Sequence, residues 1–366
     1  MKSQGNRRRP RARDLGIPFD GAAGASNAIT DVAGVEVGHA TIVRGSGRLV
    51  VGRGPVRTGV TAILPRGRRD SSPVFAGHFA LNGNGEMTGT AWVEESGLLS
   101  SPIMITNTHS VGVVRDAVID WQLKNKQMTQ PWSLPVVAET WDGYLNDTNG
   151  FHVKSVHARQ ALNDARAGRI AEGNVGGGTA MIGYGWKGGI GTASRKLPRS
   201  EGGYTVGVLV QLNCGRAQEL VIAGVPVGKH LRPGVDARTG ELGSIIIVAA
   251  TDAPLLPHQL KRIARRLSMG LARTGSVSGN GSGDLFLAFS TANSPGIAKR
   301  DVGAVAMLNN WKIDPLFTAA VQASEEAIVN AMVAAETMTG IDGHTIHAIP
   351  HDRLREVLRE YRRLND

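Results

Sequence analysis

Cysteine, clustered histidines and long apolar runs are scarce in this 366-residue sequence, and each absence excludes a class of protein. The single cysteine, Cys214, excludes an internal disulfide and a cysteine-rich metal site. No run of about 18 apolar residues occurs, so we expect no transmembrane helix. No apolar segment follows the charged N-terminus, so we expect no secretory signal and a cytoplasmic protein. His39, His78, His109 and His230 are dispersed without metal-ligand spacing, so we expect no metal, and nothing else predicts a cofactor.

Glycine and positive charge, in contrast, are abundant. The sequence contains 48 glycines, about twice the usual share, but it has no Gly-X-Y period, which excludes collagen. The net charge is +10, and Lys2 and five arginines between Arg7 and Arg13 precede the first acid, Asp14. We predict a disordered basic tail at residues 1–16. Contact of this tail with nucleic acid is the less favoured interpretation, because no RNA-binding signature accompanies it, and we expect no nucleic-acid partner.

Segments that resemble strands and helices occur in blocks. Apolar or alternating segments predict strands at residues 35–41, 60–65, 73–79, 102–108, 204–212, 244–251 and 285–289. Amphipathic spacing predicts helices from residue 113, at 153–167, after an N-cap at Asp252, at 316–338 and from 351. Helices with one apolar stripe need a sheet to cover, and two sheets packed face to face serve them all. We therefore predict a single domain at residues 17–366 with a four-layer αββα fold. A doubly wound sheet needs strict βαβ alternation, which is absent.

A Gly-Ser pair, Gly243 and Ser244, stands at the head of an apolar, β-branched run. Residues 227–242 before it are rich in Gly, Arg and Asp, which predicts a long exposed loop of the kind in which chains are cut. In one interpretation Gly243 is a turn residue and Ser244 begins an ordinary strand. In the other, Ser244 attacks the carbonyl of Gly243, breaks the chain and becomes an N-terminal nucleophile with hydroxyl and amine on one Cα. Spacing alone leaves both interpretations open.

Seven short motifs, taken in chain order, resemble those of a known family. They are Asn-Gly-Asn-Gly-Glu at 82–86, Thr-Asn-Thr-His-Ser-Val-Gly at 106–112, Glu-Thr-Trp-Asp-Gly-Tyr-Leu-Asn-Asp at 139–147, Gly-Asn-Val-Gly-Gly-Gly-Thr at 173–179, Leu-Asn at 212–213, Gly-Ser at 243–244 and Gly-Asn-Gly-Ser-Gly-Asp at 279–284. The chain resembles the self-processing aminopeptidases of peptidase family S58, which contains L-aminopeptidase D-Ala-esterase/amidases and β-peptidyl aminopeptidases. The resemblance runs from residue 27 to residue 354. One such motif is weak, but the set in this order is specific.

The resemblance implies an αββα fold, self-cleavage before Ser244, and release of N-terminal residues from short peptides, amides or esters. It implies two chains per protomer, residues 17–243 with the tail and residues 244–366, and a homo-oligomer that is a tetramer of such pairs. An N-terminal-nucleophile acyltransferase of the ornithine acetyltransferase type is the alternative. That group uses threonine at the cut, so Ser244 argues against it.

The resemblance also implies catalytic roles for Ser244, Ser282, Asp284 and Asn213. Ser244 Oγ would attack the substrate, and its freed amine or the Ser282–Asp284 pair would carry the proton. Ser282 and Asp284 would share a face on a regular strand, although a glycine-rich turn that satisfies local amides is the alternative. Asn213 matches the family's oxyanion-stabilising asparagine, because a neutral amide donor suits a developing alkoxide. The alternative is an asparagine that caps a strand end.

Substrate binding is predicted between residues 139 and 144. An exopeptidase must bind a free amine, so Glu139 is predicted to hold this cation, with Asp142 as a competing carboxylate. Trp141 and Tyr144 are predicted to wall the site or to donate to the oxyanion. The alternative for both aromatic residues is ordinary packing in the core.

Overall fold

The computed structural model describes residues 9–233, 243–293 and 302–364, and these ranges contain both helices and strands. The helices are α1 (Thr90–Ser96), α2 (Val111–Lys124), α3 (Ser155–Asn163), α4 (Pro257–Arg273), α5 (Asp314–Val333) and α6 (His351–Glu360). The strands are β1 (Glu36–Arg44), β2 (Val56–Leu64), β3 (Val74–Gly83), β4 (Leu98–Leu99), β5 (Ile103–Asn107), β6 (Val136–Thr140), β7 (Ile182–Gly183), β8 (Trp186–Lys187), β9 (Gly189–Lys196), β10 (Thr205–Asn213), β11 (Ser244–Thr251), β12 (Gly283–Ser290), β13 (Met338–Thr339) and β14 (Thr345–Ile346).

Two sheets form the centre of the fold. One has four strands in the order β1-β2-β5-β6, and the other has six in the order β4-β3-β12-β11-β10-β9. Neighbouring strands in both sheets are antiparallel, except that β5 and β6, and likewise β11 and β12, are parallel. This mixed pairing in two sheets differs from the single parallel sheet of the doubly wound alternative.

Helices cover the outer face of each sheet. Val118 of α2 lies in the cluster that packs α2 and α3 on the four-stranded sheet. Leu267 of α4 and Ile328 of α5 lie in the cluster that packs those helices on the six-stranded sheet. A third cluster, which includes Ile105 of β5 and Val248 of β11, fills the space between the sheets. The prediction of an αββα sandwich is therefore confirmed.

Strand β11 is buried on both faces, which explains its unbroken apolar sequence. Ile245 and Ile247 belong to the cluster under α4 and α5, whereas Ile246 and Val248 belong to the cluster between the sheets. Because successive side chains point to opposite faces of a strand, a strand covered on both sides shows a continuous apolar run. The same run places Ser244, its first residue, at the end of a buried strand.

The predicted helices agree with the structure in position but not in their ends. Helices α2, α3, α5 and α6 lie on predicted segments, and their ends differ from the predictions by up to five residues. The prediction that Asp252 caps a helix is wrong. Its Oδ1 atom accepts a hydrogen bond from Thr205 N at 2.7 Å, and α4 begins only at Pro257. No helix in the described ranges is long and apolar enough to cross a membrane.

The predicted disordered tail does not extend to residue 16. A short 3-10 helix spans Ala12–Leu15, and Ala12 and Ile17 are buried in the core. Three arginines of this segment form ion pairs: Arg9 with Glu336, Arg11 with Glu172 and Arg13 with Glu326. Local composition could not reveal these pairs, because the partners are 161 to 327 residues away in sequence. Residues 1–8 lie outside the described residues.

The segment before Gly243 differs from the prediction at its start. Val227–Lys229 forms a short 3-10 helix, and both Val227 and Leu231 are buried. The predicted exposed loop at 227–242 therefore does not begin at residue 227, because these two apolar side chains join the core cluster of the six-stranded sheet. The rest of that prediction, at residues 234–242, lies outside the described residues.

Candidate active site

Ser244 lies where three neighbouring strands of the six-stranded sheet begin or end. It opens β11 and pairs in antiparallel register with Asn213, the last residue of β10. The next residue, Ile245, pairs in parallel register with Asp284 near the start of β12. Ser244 itself is only 6% exposed. The strand order therefore gathers Asn213, Ser244 and Asp284 at one edge of the sheet.

Ser282 and Asp284 form a hydrogen-bonded pair next to this serine. Ser282 Oγ donates to Asp284 Oδ1 at 2.6 Å, a length typical of a hydroxyl bound to an ionised carboxylate. The backbone N–H of Gly283, between them, donates to Ser244 Oγ at 3.0 Å. Both members of the pair are fully buried. A hydroxyl oriented by a donor beside such a pair is suited to nucleophilic attack with nearby proton transfer.

The side-chain amide of Asn213 is held in one orientation by two backbone groups. Its Oδ1 accepts from Ile182 N at 2.8 Å, and its Nδ2 donates to Trp141 O at 2.9 Å. An N–H needs the amide oxygen and a carbonyl needs the amide nitrogen, so the alternative flip would break both bonds. The Nδ2 group carries two hydrogens, which makes a second donor chemically available beside Ser244.

Glu139, on β6 of the other sheet, is a buried carboxylate with neutral partners. Its Oε1 accepts from the backbone N–H of Glu86 at 2.9 Å, and its Oε2 accepts from Thr108 Oγ1. Gly85 packs tightly here, because a Cβ built on it would lie 3.2 Å from Glu139 Oε1. Burial raises the pKa of Glu139, while the two hydrogen bonds oppose that rise. The site thus holds a carboxylate whose charge no described cation neutralises within 4.0 Å.

A cavity of about 420 Å³ joins Ser244 to Glu139. The residues that line it are Asn84, Gly85, Glu86, Thr108, Glu139, Trp141, Ser244 and Gly281. Among the residues that the structure describes, the lining contains two carboxylates and no lysine or arginine, although the whole chain carries a net charge of +10. The cavity is therefore suited to a ligand that brings a cation to Glu139 and a reactive carbonyl to Ser244.

Two residues predicted to bind substrate do not line this cavity. Asp142 is buried and accepts from Asn107 Nδ2 at 2.9 Å and from Asn146 Nδ2 at 3.0 Å. Tyr144 stacks on His344 with ring centroids 4.5 Å apart. The expectation that Asp142 and Tyr144 contact the substrate therefore stays a prediction, because neither residue is among the described residues that line the cavity. Burial also raises the pKa of Asp142, against the effect of its hydrogen bonds.

Glu86 and Thr108 line the cavity, although their sequence motifs predicted no role for these two residues. Both occur in motifs that were recognised, at 82–86 and 106–112. The signal was therefore present, but only the structure brings these two loops against Glu139. In the described part of the chain, no group of three or more His, Cys, Asp or Glu side chains could hold a metal ion.

Gly243 occupies a position that accommodates no side chain. A Cβ built on Gly243 would overlap the backbone oxygen of Asn213, the strand partner of Ser244. Gly283 is similarly restricted, because a Cβ there would contact the backbone of Asn84. Glycine at both positions lets the backbone on either side of Ser244 approach its neighbours closely.

The fold and the site together define a hydrolase with the N-terminal-nucleophile type of architecture, an αββα sandwich with a serine at the head of a central strand. The family model for peptidase family S58 matches residues 27–346. The chain therefore belongs to peptidase family S58 and is a serine aminopeptidase. This assignment does not favour the acyltransferase alternative.

Similar proteins agree with this assignment over almost the whole chain. The beta-peptidyl aminopeptidase BapA of Sphingosinicella microcystinivorans is 54% identical, over 97% of this chain and 93% of the relative. The L-aminopeptidase D-Ala-esterase/amidase of Ochrobactrum anthropi, described as a variant of the Ntn hydrolase fold, superposes with a TM-score of 0.89 at 50% identity, over 97% of this chain and 99% of that one. A Burkholderia sp. beta-aminopeptidase superposes with a TM-score of 0.88 at 48% identity, over 96% and 99% of the chains.

Proposed function

We propose that this aminopeptidase cleaves its own chain between Gly243 and Ser244 and then uses Ser244 as an N-terminal nucleophile. The observation that carries the proposal is the hydrogen bond from Gly283 N to Ser244 Oγ at 3.0 Å, in a serine that lines an acidic cavity. This bond orients the hydroxyl of the residue that also supplies the nitrogen of the bond to be cut. The close approach of Gly243 to Asn213 O supports the proposal, since it holds the preceding residue in a defined place.

In the self-cleavage step, Ser244 Oγ adds to the carbonyl carbon of Gly243. The hydroxyl proton passes to the nitrogen of Ser244 as the C–N bond breaks, and an ester joins the two parts. Water hydrolyses this ester to the carboxylate of Gly243 and restores the hydroxyl. The products are residues 17–243 with the N-terminal residues before them, and residues 244–366. The new α-amine titrates at about pH 8, so part of it is unprotonated at neutral pH.

In turnover, Ser244 Oγ attacks the carbonyl carbon of the substrate's N-terminal residue. The freed Ser244 amine, or the Ser282–Asp284 pair, takes the proton and returns it to the leaving amine or alcohol. Asn213 Nδ2 donates its second N–H to the oxyanion, a contribution worth about 100- to 1,000-fold in rate. The acyl group then sits on Ser244 Oγ until water hydrolyses the ester.

The free amine of the substrate is held by Glu139, and Trp141 forms a wall beside it. Both oxygens of Glu139 accept bonds from neutral donors, so its charge has no protein counter-ion among the described residues. An ammonium group supplies that positive charge in a largely buried site, where charge-assisted hydrogen bonds are strong. A blocked amine brings no charge and leaves the buried carboxylate without a counter-ion among the described residues.

The proposed substrates are short peptides, amino-acid amides and amino-acid esters with a free amine. The names of the relatives extend this proposal to peptides with an N-terminal β-amino acid, the class named for the relative at 54% identity. We also propose a homo-oligomer, a tetramer of cleaved pairs. Exposed apolar side chains such as Val302 (87%) and Trp311 (91%) support a covered surface in the assembly. Light scattering on the cleaved protein gives the subunit number directly.

Intact mass and N-terminal sequencing of purified protein test the self-cleavage. Wild type should separate into two fragments, the shorter of which begins at Ser244, and Ser244→Ala should remain one chain. Ser290→Ala is a matched control, because Ser290 is a buried serine at the far end of β12 that binds Ala253 O. This control should cleave as wild type does. An uncut wild-type protein with full activity would overturn the mechanism.

A further inference from the structure

Glu86 is a second carboxylate in the cavity, and the mechanism leaves its side chain without a task. Its backbone N–H donates to Glu139 Oε1 at 2.9 Å, so the two residues are direct neighbours. Glu86 lines the cavity with Ser244 and Glu139, but unlike Glu139 it is exposed. Within the described residues, neither carboxylate forms an ion pair.

The cavity holds two carboxylates, and a substrate that carries only one cation can pair directly with only one of them. Glu139 and Glu86 together bring two negative charges, and the described lining residues include no lysine or arginine, while the freed Ser244 amine adds a positive charge when it is protonated. The α-ammonium group of a substrate with an apolar side chain neutralises one of them. A second ammonium group, on the side chain of the substrate's N-terminal residue, would pair with Glu86 next to the α-ammonium group. Because Glu86 is exposed, such an ion pair has modest strength.

We propose that Glu86 is a specificity-determining residue that favours substrates whose N-terminal residue carries a second amine, that is, lysine-like diamino acids and their β-homologues. The inference rests on the proposed function, because it takes Glu139 as the partner of the α-ammonium group. It assigns Glu86 to the side chain of the N-terminal residue, since Glu86 adjoins Glu139 directly. The Glu86 backbone N–H contacts Glu139 whatever side chain residue 86 carries. A mutation of Glu86 can therefore remove the side-chain carboxylate without removing this contact.

The test compares two p-nitroanilides, of L-lysine and of L-norleucine, which match in chain length and differ by the terminal ammonium group. The ratio of their kcat/KM values is measured for wild type, Glu86→Gln and Glu95→Gln, per molecule of cleaved enzyme. Glu95 is an exposed acid on α1 outside the cavity lining, so its variant reproduces the change in net charge. Norleucine turnover reports that each variant is folded and cleaved.

We expect wild type and Glu95→Gln to prefer lysine by about twofold to fivefold, the upper part of the range for one exposed ion pair. Glu86→Gln should bring the ratio close to one while its norleucine kcat/KM stays within about twofold of wild type. Salt at about 1 M, where the Debye length is about 3 Å, should reduce the wild-type ratio as well.

Three results would overturn the inference. The first is an unchanged lysine-to-norleucine ratio in Glu86→Gln, and the second is a wild type without lysine preference. The third is an equal loss for both substrates in Glu86→Gln, which would mean that Glu86 binds the amine common to all substrates. The proposed function has its own readout, because norleucine p-nitroanilide should lose turnover when its amine is acetylated, whatever residue 86 is.

Discussion

Replacement of Asp284 by asparagine separates a catalytic role of the Ser282–Asp284 pair from a structural one. The two side chains have nearly the same shape, and asparagine Oδ1 can still accept the bond that Ser282 Oγ makes at 2.6 Å. What disappears is the charge and the capacity to take a proton. The buried position keeps water from replacing either function, since both side chains are fully buried.

The magnitude of the rate loss distinguishes the two roles. A hydrogen bond to a charged group contributes about 1.5–3 kcal/mol and a neutral one about 0.5–1.5 kcal/mol. If Asp284 only holds Ser282 in place, the exchange should therefore slow turnover by roughly tenfold. If the pair assists proton transfer, the loss should reach about 100- to 10,000-fold. We expect the larger loss.

The assay must be independent of self-cleavage, because an uncut chain has no free Ser244 amine and would be inactive for that reason alone. Residues 1–243 and 244–366 are therefore expressed as separate chains, with a removable leader ahead of Ser244. Turnover and thermal stability are measured on the same preparation. Asp147→Asn is the matched control, since Asp147 is buried and pairs with His152 at 2.8 Å outside the cavity lining. It should lower stability without a comparable loss of turnover.

One outcome would refute the reasoning. If Asp284→Asn in the two-chain form kept wild-type turnover, Asp284 would have no catalytic role, and its contact with Ser282 would be part of a turn. In the single chain, the same variant should also slow self-cleavage, which mass spectrometry follows over time. Slow self-cleavage together with normal two-chain turnover would restrict the role of Asp284 to the first reaction.

Three further predictions concern substrate binding, the cleavage site and the N-terminal ion pairs. Glu139→Gln should raise KM for free-amine peptides about tenfold to 100-fold, because a charge-assisted bond is lost. Burial raises the pKa of Glu139, so the wild-type KM should rise as pH falls through that pKa, at a higher pH than for an ordinary carboxyl. A KM that is independent of both the residue and the pH would contradict this role of Glu139. Gly243→Ala should slow self-cleavage by about fivefold to 160-fold, because the new Cβ overlaps Asn213 O and local repacking of such a contact costs about 1–3 kcal/mol. Mass spectrometry of the chain over time checks this, and cleavage at the wild-type rate would show that the contact is not needed. Glu326→Gln, compared in the uncut Ser244→Ala background, should lower the free energy of unfolding by about 3–5 kcal/mol, since it leaves Arg195 buried without a counter-ion; a denaturant midpoint equal to that of the background would contradict this.

The sequence was sufficient to identify the central strand and the main helices. A short apolar run rich in β-branched residues is typical of a strand covered on both faces, and β11 is one. The apolar positions of the helix at 257–273 likewise predict its buried face correctly. These inferences succeed because the spacing of apolar residues along a segment is a local property, and it shows directly which face of the segment is buried. The family followed from seven motifs in order, which no single motif could have established.

The sequence misplaced residues whose environment depends on distant parts of the chain. Arg11 belongs to a run of arginines that composition assigns to solvent, yet it is buried against Glu172. Asp142 lies only three residues after Glu139, yet it binds Asn107 and Asn146 instead of lining the cavity. In both cases a partner from a distant element, Glu172 for Arg11 and Asn107 for Asp142, determines where the side chain lies.

The sequence by itself determined most of the long strands and helices, but not β6, β9 or α1, and it determined which short motifs belong together in one family. Only the tertiary structure decided which of those motifs share a site. Strand pairing in the six-stranded sheet brings Asn213, Ser244 and Asp284 to one edge, and the packing of the second sheet sets Glu139 across the cavity from Ser244. The physical reason is that the periodicity of buried residues is a local property of the sequence, whereas strand order and sheet packing depend on contacts between residues far apart in the chain, such as Asn213 with Ser244 and Ile245 with Asp284.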